Sequence, residues 1–375
     1  MSEVTPSAAG HYAASLPGGV HHSLVRTRRR ISSDSVMAGL SQFAAISIFA
    51  MLFALLAVLT YAAWPSITTF GWKFLVTGQW RPNELTAPAL DAAGHVITED
   101  GEVVMKTMPP VFGALPVIYG TAVSSLLALV FAVPLSFGAA LFLVRLSRPW
   151  LAVPVSFLVE FLAAIPSIAY GMWGLFVLAP FLQHYVEPAI RTGLSWIPGM
   201  NAWLFTETAM RAGQTVVRTL PLTGRDMFCG GLVLAIMILP IITAISRDVL
   251  RSVPRAQVEG TLALGATWWQ SAWEMLCYSR SALFGAVMLG LARAAGETMA
   301  ITMVIGNSNQ IHASLFSPAQ TMSSLLANEF AEASTEIHRA ALSEVALILL
   351  VMSLLFNIVA RRLVVGNDAR PATAH

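Results

Sequence analysis

Residues 43–63 run for 21 positions without one charged side chain. At about 1.5 Å per residue, a helix of that length crosses the roughly 30 Å hydrocarbon core of a bilayer. Comparable apolar runs recur at about 114–144, 150–182, 227–246, 281–306 and 340–360. A chain of this kind must satisfy its backbone within helices, because the bilayer interior offers no water to hydrogen-bond it. The pattern predicts an all-α polytopic membrane protein with about six transmembrane helices. The second and third runs are too long for one straight helix each, so eight spans is the alternative; Pro134 and the PSIAYGMWG segment (166–174) are where they would kink or divide. Composition agrees, with 11% charged residues against about 25% in soluble domains.

The basic residues set the orientation. With the N-terminus inside, cytoplasmic segments hold 13 of the 22 Lys and Arg residues and the longer external segments hold 8, which places both termini in the cytoplasm. Residues 1–38, polar and ending in the Arg26–Arg30 cluster, read as a disordered cytoplasmic tail. A first transmembrane helix at 39–64 follows; its apolar run exceeds the length of a signal-peptide core, so it is expected to stay uncleaved. Residues 65–112 form an external insertion carrying Glu84, Asp91, Glu99, Asp100 and Glu102, with a hairpin turn at Glu99-Asp100-Gly101. Residues 364–375 form a second cytoplasmic tail. Cys229 and Cys277 suggest neither a disulfide framework nor a metal site, and a net charge of +2 implies no preference for nucleic acid.

Within the run at 281–306 stand Arg293 and Glu297, four residues apart. A charge near the bilayer centre costs roughly 2.5–3.5 kcal/mol on insertion scales. On a continuous helix the two would share a face. One reading is an ion pair that pins helix packing. The other is that Arg293 lines a path and offers its planar fork to an oxyanion, with Glu297 neutralising or orienting it when the path is empty. Glu160, in the third run, either partners Arg293 across helices or sits at a headgroup boundary. Thr298, Thr302 and Asn307 could add neutral donors, although threonine in a membrane helix often bonds its own backbone. The external loop 307–339, with Asn328, Glu329, Glu332 and Glu336, reads either as a contact for an outside partner or gate, or as a solvated acidic face.

The cytoplasmic loop 247–280 contains Pro254 near a helix start and an amphipathic stretch with Trp268, Trp269 and Trp273, interrupted by Gly265. Two short helices meeting at a turn are expected. They would dock in a partner's groove or lie against lipid headgroups.

The pattern V-P-x-x-x-x-E-G-T-L-A-L-G-A-T-x-W in this loop resembles the EAA loop of ABC-importer permeases. Glu259 and Gly265 keep that family's spacing, Gly260 and Thr261 replace its two alanines, and Cys277 stands where a proline is usual. FLAAIPSIAYGMWGLFVLAP (161–180), GLARAAGETMAITMVIGN (290–307) and SSLLANEFAEA (323–333) resemble phosphate-specific transport permeases of the PstC type. The resemblance covers roughly 113–363, the permease core. It implies a type I ABC-importer permease fold in a bacterial inner membrane and a substrate path for inorganic phosphate through Arg293, Glu297, Glu160 and Thr298. Docking of the ATPase would use the 254–275 segment, through Pro254, Glu259, Gly265 and Trp269. The implied partners are a second permease subunit of the PstA type, a PstB-type ATPase dimer and a periplasmic phosphate-binding protein of the PstS type.

The chain itself has no ATP site. A P-loop needs Gly-Lys followed by Ser or Thr, and the two lysines, Lys73 and Lys106, follow Trp72 and Met105. ATP and Mg²⁺ would therefore bind a separate ATPase subunit, and no cofactor is expected here. The alternatives are a permease for another oxyanion, sulfate or molybdate, and a proton-coupled secondary transporter; the EAA-like loop argues against the latter, which needs no ATPase dock.

Overall fold

The computed structural model describes residues 33–88, 98–99, 102–103, 105–197, 199–211 and 214–368. By internal packing the chain divides after Leu55. The described part of the first unit is the beginning of helix α1 (Ser33–Phe70), where Phe43, Ile46, Phe49, Met51 and Phe53 are all exposed. A helix apolar on every side is at home in lipid rather than water. It begins inside the segment 1–38 expected to be a tail; residues 1–32 of that tail lie outside the described residues.

The second unit opens with the last turns of α1 and a short helix, α2 (Lys73–Val76). Two nested antiparallel ladders follow: β1 (Leu85–Pro88) with β4 (Met105–Met108), and β2 (Thr98–Glu99) with β3 (Glu102–Val103). Glu99 stands opposite Glu102, the register of a two-residue turn at the expected Asp-Gly pair; Asp100 and Gly101 themselves lie outside the described residues.

Helix α3 (Leu115–Leu141) carries Pro134 inside it without ending there and runs into a π-helical turn, Phe142–Leu146. After α4 (Pro149–Ala164) the chain turns by 91° at Ile165-Pro166. It then continues as α5 (Ser167–Trp173), α6 (Ala179–Phe181) and α7 (Glu187–Gly193), joined by π-helical turns at Gly174–Leu178 and Leu182–Val186. Next come α8 (Met200–Phe205) and a hairpin of β5 (Thr206–Arg211) with β6 (Gln214–Thr219), which sequence reading missed. Helix α9 (Met227–Arg251) returns through the core. Helices α10 (Arg255–Ala263) and α11 (Trp268–Tyr278) form the expected pair in the cytoplasmic loop, and α11 meets α12 (Arg280–Ala295) at 70°. The last elements are α13 (Met299–Val304), α14 (Met322–Glu329) and α15 (Glu336–Asp368). Helix α15 runs into the segment expected as the C-terminal tail.

Among the described residues four helices are long and apolar enough to cross a membrane: Met37–Phe70, Leu115–Leu146, Met227–Arg251 and Glu336–Val359. Counting each bent pair, α4 with α5–α7 and α11 with α12, as one span gives six among the described residues.

The core is built on α9. Ser124, Ser125, Ala128, Ala132 and Ser136 make one side of α3 narrow and buried, so the two backbones come close, as small residues permit in membrane helices. Ser136 Oγ donates to the Leu239 carbonyl at 3.0 Å across that contact. Val233, Leu234, Ile238 and Ile242 of α9 then pack with Ala286 and Ala294 of α12 and with Ile301 of α13. A second cluster joins Phe74, Trp80, Phe112, Leu325 and Leu342.

Candidate substrate path and coupling surface

The helix carrying Arg293 ends before Glu297. Gly296 caps α12, its N–H bonded to the Ala292 carbonyl, and α13 starts afresh at Met299. The expectation that Arg293 and Glu297 share one helical face is therefore corrected. A new helix start exposes N–H groups without intrahelical partners, and Glu297 Oε1 accepts one of them, from Ala300, at 3.4 Å. Ser323 Oγ donates to the Glu297 carbonyl. Glu297 is buried, whereas Arg293, one turn earlier, is exposed. Thr298 is the N-cap of α13, and Thr302 Oγ1 donates to its carbonyl at 2.6 Å, the backbone bonding foreseen for threonine here. Asn307 follows in a left-handed conformation (φ 51°) and donates to the Thr302 carbonyl at 2.8 Å.

Among the described residues Arg293 has no carboxylate partner. Glu160 does not supply one: its Oε1 lies 3.0 Å from Nη1 of Arg247. Arg247, near the cytoplasmic end of α9, also bonds Asp248 at 3.1 Å. Its side chain is buried while that of Glu160 remains more than half exposed. The right-angle turn at Pro166 directs α4 away from α5 and delivers Glu160 to the end of α9. That corrects the pairing of Glu160 with Arg293.

The helices that follow the two breaks touch. A Cβ placed on Gly171 of α5 would stand 2.9 Å from the Ala300 Cα of α13, closer than any real side chain comes. The helices that restart after the breaks at Pro166 and Gly296–Thr298 thus meet backbone to backbone. Irregular backbone at membrane depth is tolerated only where it is buried in protein or lines an aqueous cavity, and here it does the first around Glu297 while leaving Arg293 open.

At the cytoplasmic end, Pro254 is the N-cap of α10 and Glu259 is exposed on it. Gly265 takes φ +82° at the turn, a conformation glycine adopts without strain. Thr267 and Gln270 form a reciprocal capping box at the start of α11. Val258, Ala272 and Met275 pack inward against Leu141 and Leu250. That leaves Leu264 at the tip 90% exposed, with Trp269 and Trp273 also open.

Sequence reading passed over three buried carboxylates. Glu344 lies within the apolar run 340–360 and is buried facing Ser66 of α1; the argument that singled out Arg293 would have found it. Asp226 caps α9, its Oδ1 accepting from the Cys229 N–H at 2.7 Å, and Glu187 of α7 lies against it. Burial, and then the neighbouring Glu187, push the Asp226 carboxyl up to about 8. An Asp just before an apolar helical run is an N-cap signal; nothing local pointed to Glu187. Glu329, expected in an outside contact or a solvated acidic face, instead accepts from Trp80 Nε1 at 2.8 Å and lies 3.1 Å from His338 Nε2.

A family model for the binding-protein-dependent transport system inner membrane component matches residues 132–370. The chain is 39% identical over 344 residues to the phosphate transport system permease protein PstC of Mesorhizobium japonicum, covering 92% of this chain and 93% of that one. It is 38% identical over 331 residues to PstC of Pasteurella multocida (88% and 91% covered), and 35% over 308 to PstC 1 of Mycobacterium tuberculosis (80% and 84%). Among solved structures, an inward-facing MetNI methionine ABC transporter aligns with 68% of this chain and 94% of its own at 17% identity and a TM-score of 0.44.

Proposed function

Because the chain belongs to the binding-protein-dependent inner-membrane transport components, and among them to the PstC phosphate permeases, we propose that Arg293 receives phosphate along a path this subunit forms with a second permease. It is a non-catalytic subunit of an ABC importer, so the energy comes from a separate ATPase and the substrate from a binding protein. We assign those roles to a PstB-like ATPase dimer and a PstS-like periplasmic protein, with a PstA-like subunit as the second permease.

The observation that carries the reading is the state of Arg293: a guanidinium inside a membrane span, exposed on this subunit and without a carboxylate partner among the described residues. A planar fork of donors suits two oxygens of a phosphate. Glu297, buried and engaged with the start of α13, limits the net positive charge beside the path, so the anion is held weakly enough to leave. Thr298 adds a hydroxyl at the same break. Glu160 acts at a distance from this point, fixing α4 to the cytoplasmic end of α9 through Arg247. The turn between α10 and α11, with Pro254, Glu259, Gly265 and Trp269, is the face offered to the ATPase. Its exposed Leu264 and tryptophans suit a hydrophobic groove.

The test is ATP-dependent phosphate uptake into vesicles containing all four components, with sulfate and arsenate as competitors. Inhibition by arsenate but not sulfate supports the assignment. Uptake that survives ATP depletion and collapses with the proton gradient would overturn it.

A further inference from the structure

Glu187 and Asp226 are both fully buried, 0% exposed. They join the last helical turns of the third span to the first turn of α9, on the side assigned as external by the basic residues. Asp226 Oδ1 is used by the Cys229 N–H. Its Oδ2 and both oxygens of Glu187 have no hydrogen-bond partner among the described residues. The two carboxyls lie against each other. Both ionised, they would repel without solvent, and an ionised carboxylate only accepts; one proton between them removes the repulsion and supplies a donor.

Among the described residues no cation is recorded against the pair. The charged and titratable groups near the pair, among the described residues, are few. Cys229 sits one turn along α9 and contributes its N–H. Arg225, next to Asp226, is exposed and lines an outer groove with Gln183 and Thr223. Arg191 of α7 lies over the Phe205 ring. His184 is exposed and bonded to the Pro180 carbonyl. The segment 314–317, which accepts the Met227 and Phe228 N–H groups at the Ser317 and Leu315 carbonyls, brings only serine hydroxyls as polar side chains.

We propose that Glu187 and Asp226 form a binding site for one proton, and that this proton latches the external end of the third span to the start of α9. Loss of the proton puts two negative charges side by side without solvent, a repulsion that separation and hydration relieve. The latch is thus closed at neutral pH and opens as the medium turns alkaline, in keeping with the raised Asp226 carboxyl. Opening exposes the first turn of α9, and with it Cys229, which is fully buried in the closed form.

Cys229 is therefore the reporter. The assembled transporter in lipid nanodiscs is pulsed with a maleimide at pH values from 6.5 to 9, and labelling of the peptide containing Cys229 is followed by mass spectrometry. Each rate is divided by that of the Glu187→Gln variant at the same pH, which cancels the intrinsic alkaline activation of the thiol. In that variant the glutamine amide donates to Asp226 at every pH. The ratio is expected to rise about fivefold from pH 7 to pH 8, following the deprotonated fraction, and to level off towards pH 9. A ratio that stays constant across the range, or Cys229 already open in the wild type at pH 6.5, would overturn the latch. If Glu187→Gln fails to assemble, Asp226→Asn serves as reference, since asparagine both caps a helix and donates to Glu187.

Discussion

Arg247 holds Glu160 at 3.0 Å and Asp248 at 3.1 Å, so an arginine at the cytoplasmic end of α9, rather than Arg293, is the one neutralised by carboxylates. The two arginines carry the same charge in opposite circumstances: Arg247 is enclosed and paired, Arg293 is open and unpaired. Different consequences follow from removing each.

Arg293→Ala should abolish phosphate uptake while the subunit still assembles with its partners. Arg293→Lys should recover only part of it, because an ammonium lacks the planar fork. Co-purification of the complex and initial uptake rates separate these outcomes; normal uptake in Arg293→Ala removes the path assignment.

Arg247→Ala should act on stability. It strands no buried cation but releases α4 from α9, and each of its two ion pairs, made to largely solvated carboxylates, contributes about 0.2–1 kcal/mol. Glu160→Gln should cost less, about 0–1 kcal/mol, because its side chain is largely solvated and Asp248 remains with Arg247. Thermal unfolding of the purified complex orders the two, and equal losses would mean that α4 is held by something else.

Glu259→Lys reverses a charge on the exposed face of α10. Transport should fall, either by loss of the ATPase from the purified complex or by ATP hydrolysis that no longer drives uptake. Unchanged co-purification together with unchanged transport excludes this face as the dock.

Glu329→Leu should destabilise the external side by about 1–3 kcal/mol, since it leaves the buried Trp80 N–H without its acceptor. Glu329→Gln keeps an acceptor and should lie close to wild type. Neither should change the affinity for the binding protein, measured by titration in nanodiscs; a weakened affinity in Glu329→Gln would return Glu329 to the docking role read from the sequence.

The Asp226 carboxyl sets a direction for pH. Its folded-state value, about 8, lies above its ordinary value of 3.8, so the folded protein binds more protons than the unfolded chain between those limits. Stability from this group is complete below about pH 4 and is lost as pH rises to about 8, with little further change above. The difference in apparent melting temperature between wild type and Asp226→Asn, measured from pH 5 to 9, should shift against the wild type over that window.

The spans were legible because a charge-free run of 21 residues at 43–63 has few other uses, and the pair α10–α11 because Gly265 interrupts an amphipathic stretch. The break after Arg293 was not: Gly296 and Glu297 fit a continuous helix as well as an interrupted one, and only the Ala300 amide and Ser323 in place around Glu297 distinguish them. The partner of Glu160 lies 87 residues further along the chain and depends on a 91° turn, which local pattern does not encode. The β5–β6 hairpin was overlooked beside stronger helical signals. Glu344 was legible, since a carboxylate inside the apolar run 340–360 carries the same insertion cost as Arg293.

Gly171 has no room for even a methyl group against Ala300. Position 171 is therefore closed to every other amino acid unless α5 and α13 are pushed apart, and any such separation shifts the short helix whose first turn engages Glu297. The anion path and the bend of the third span thus share one mechanical reference point, fixed by the smallest side chain available. Mutational tolerance at residue 171 would be governed by the geometry beside Arg293, in a different helix and more than a hundred residues away along the chain.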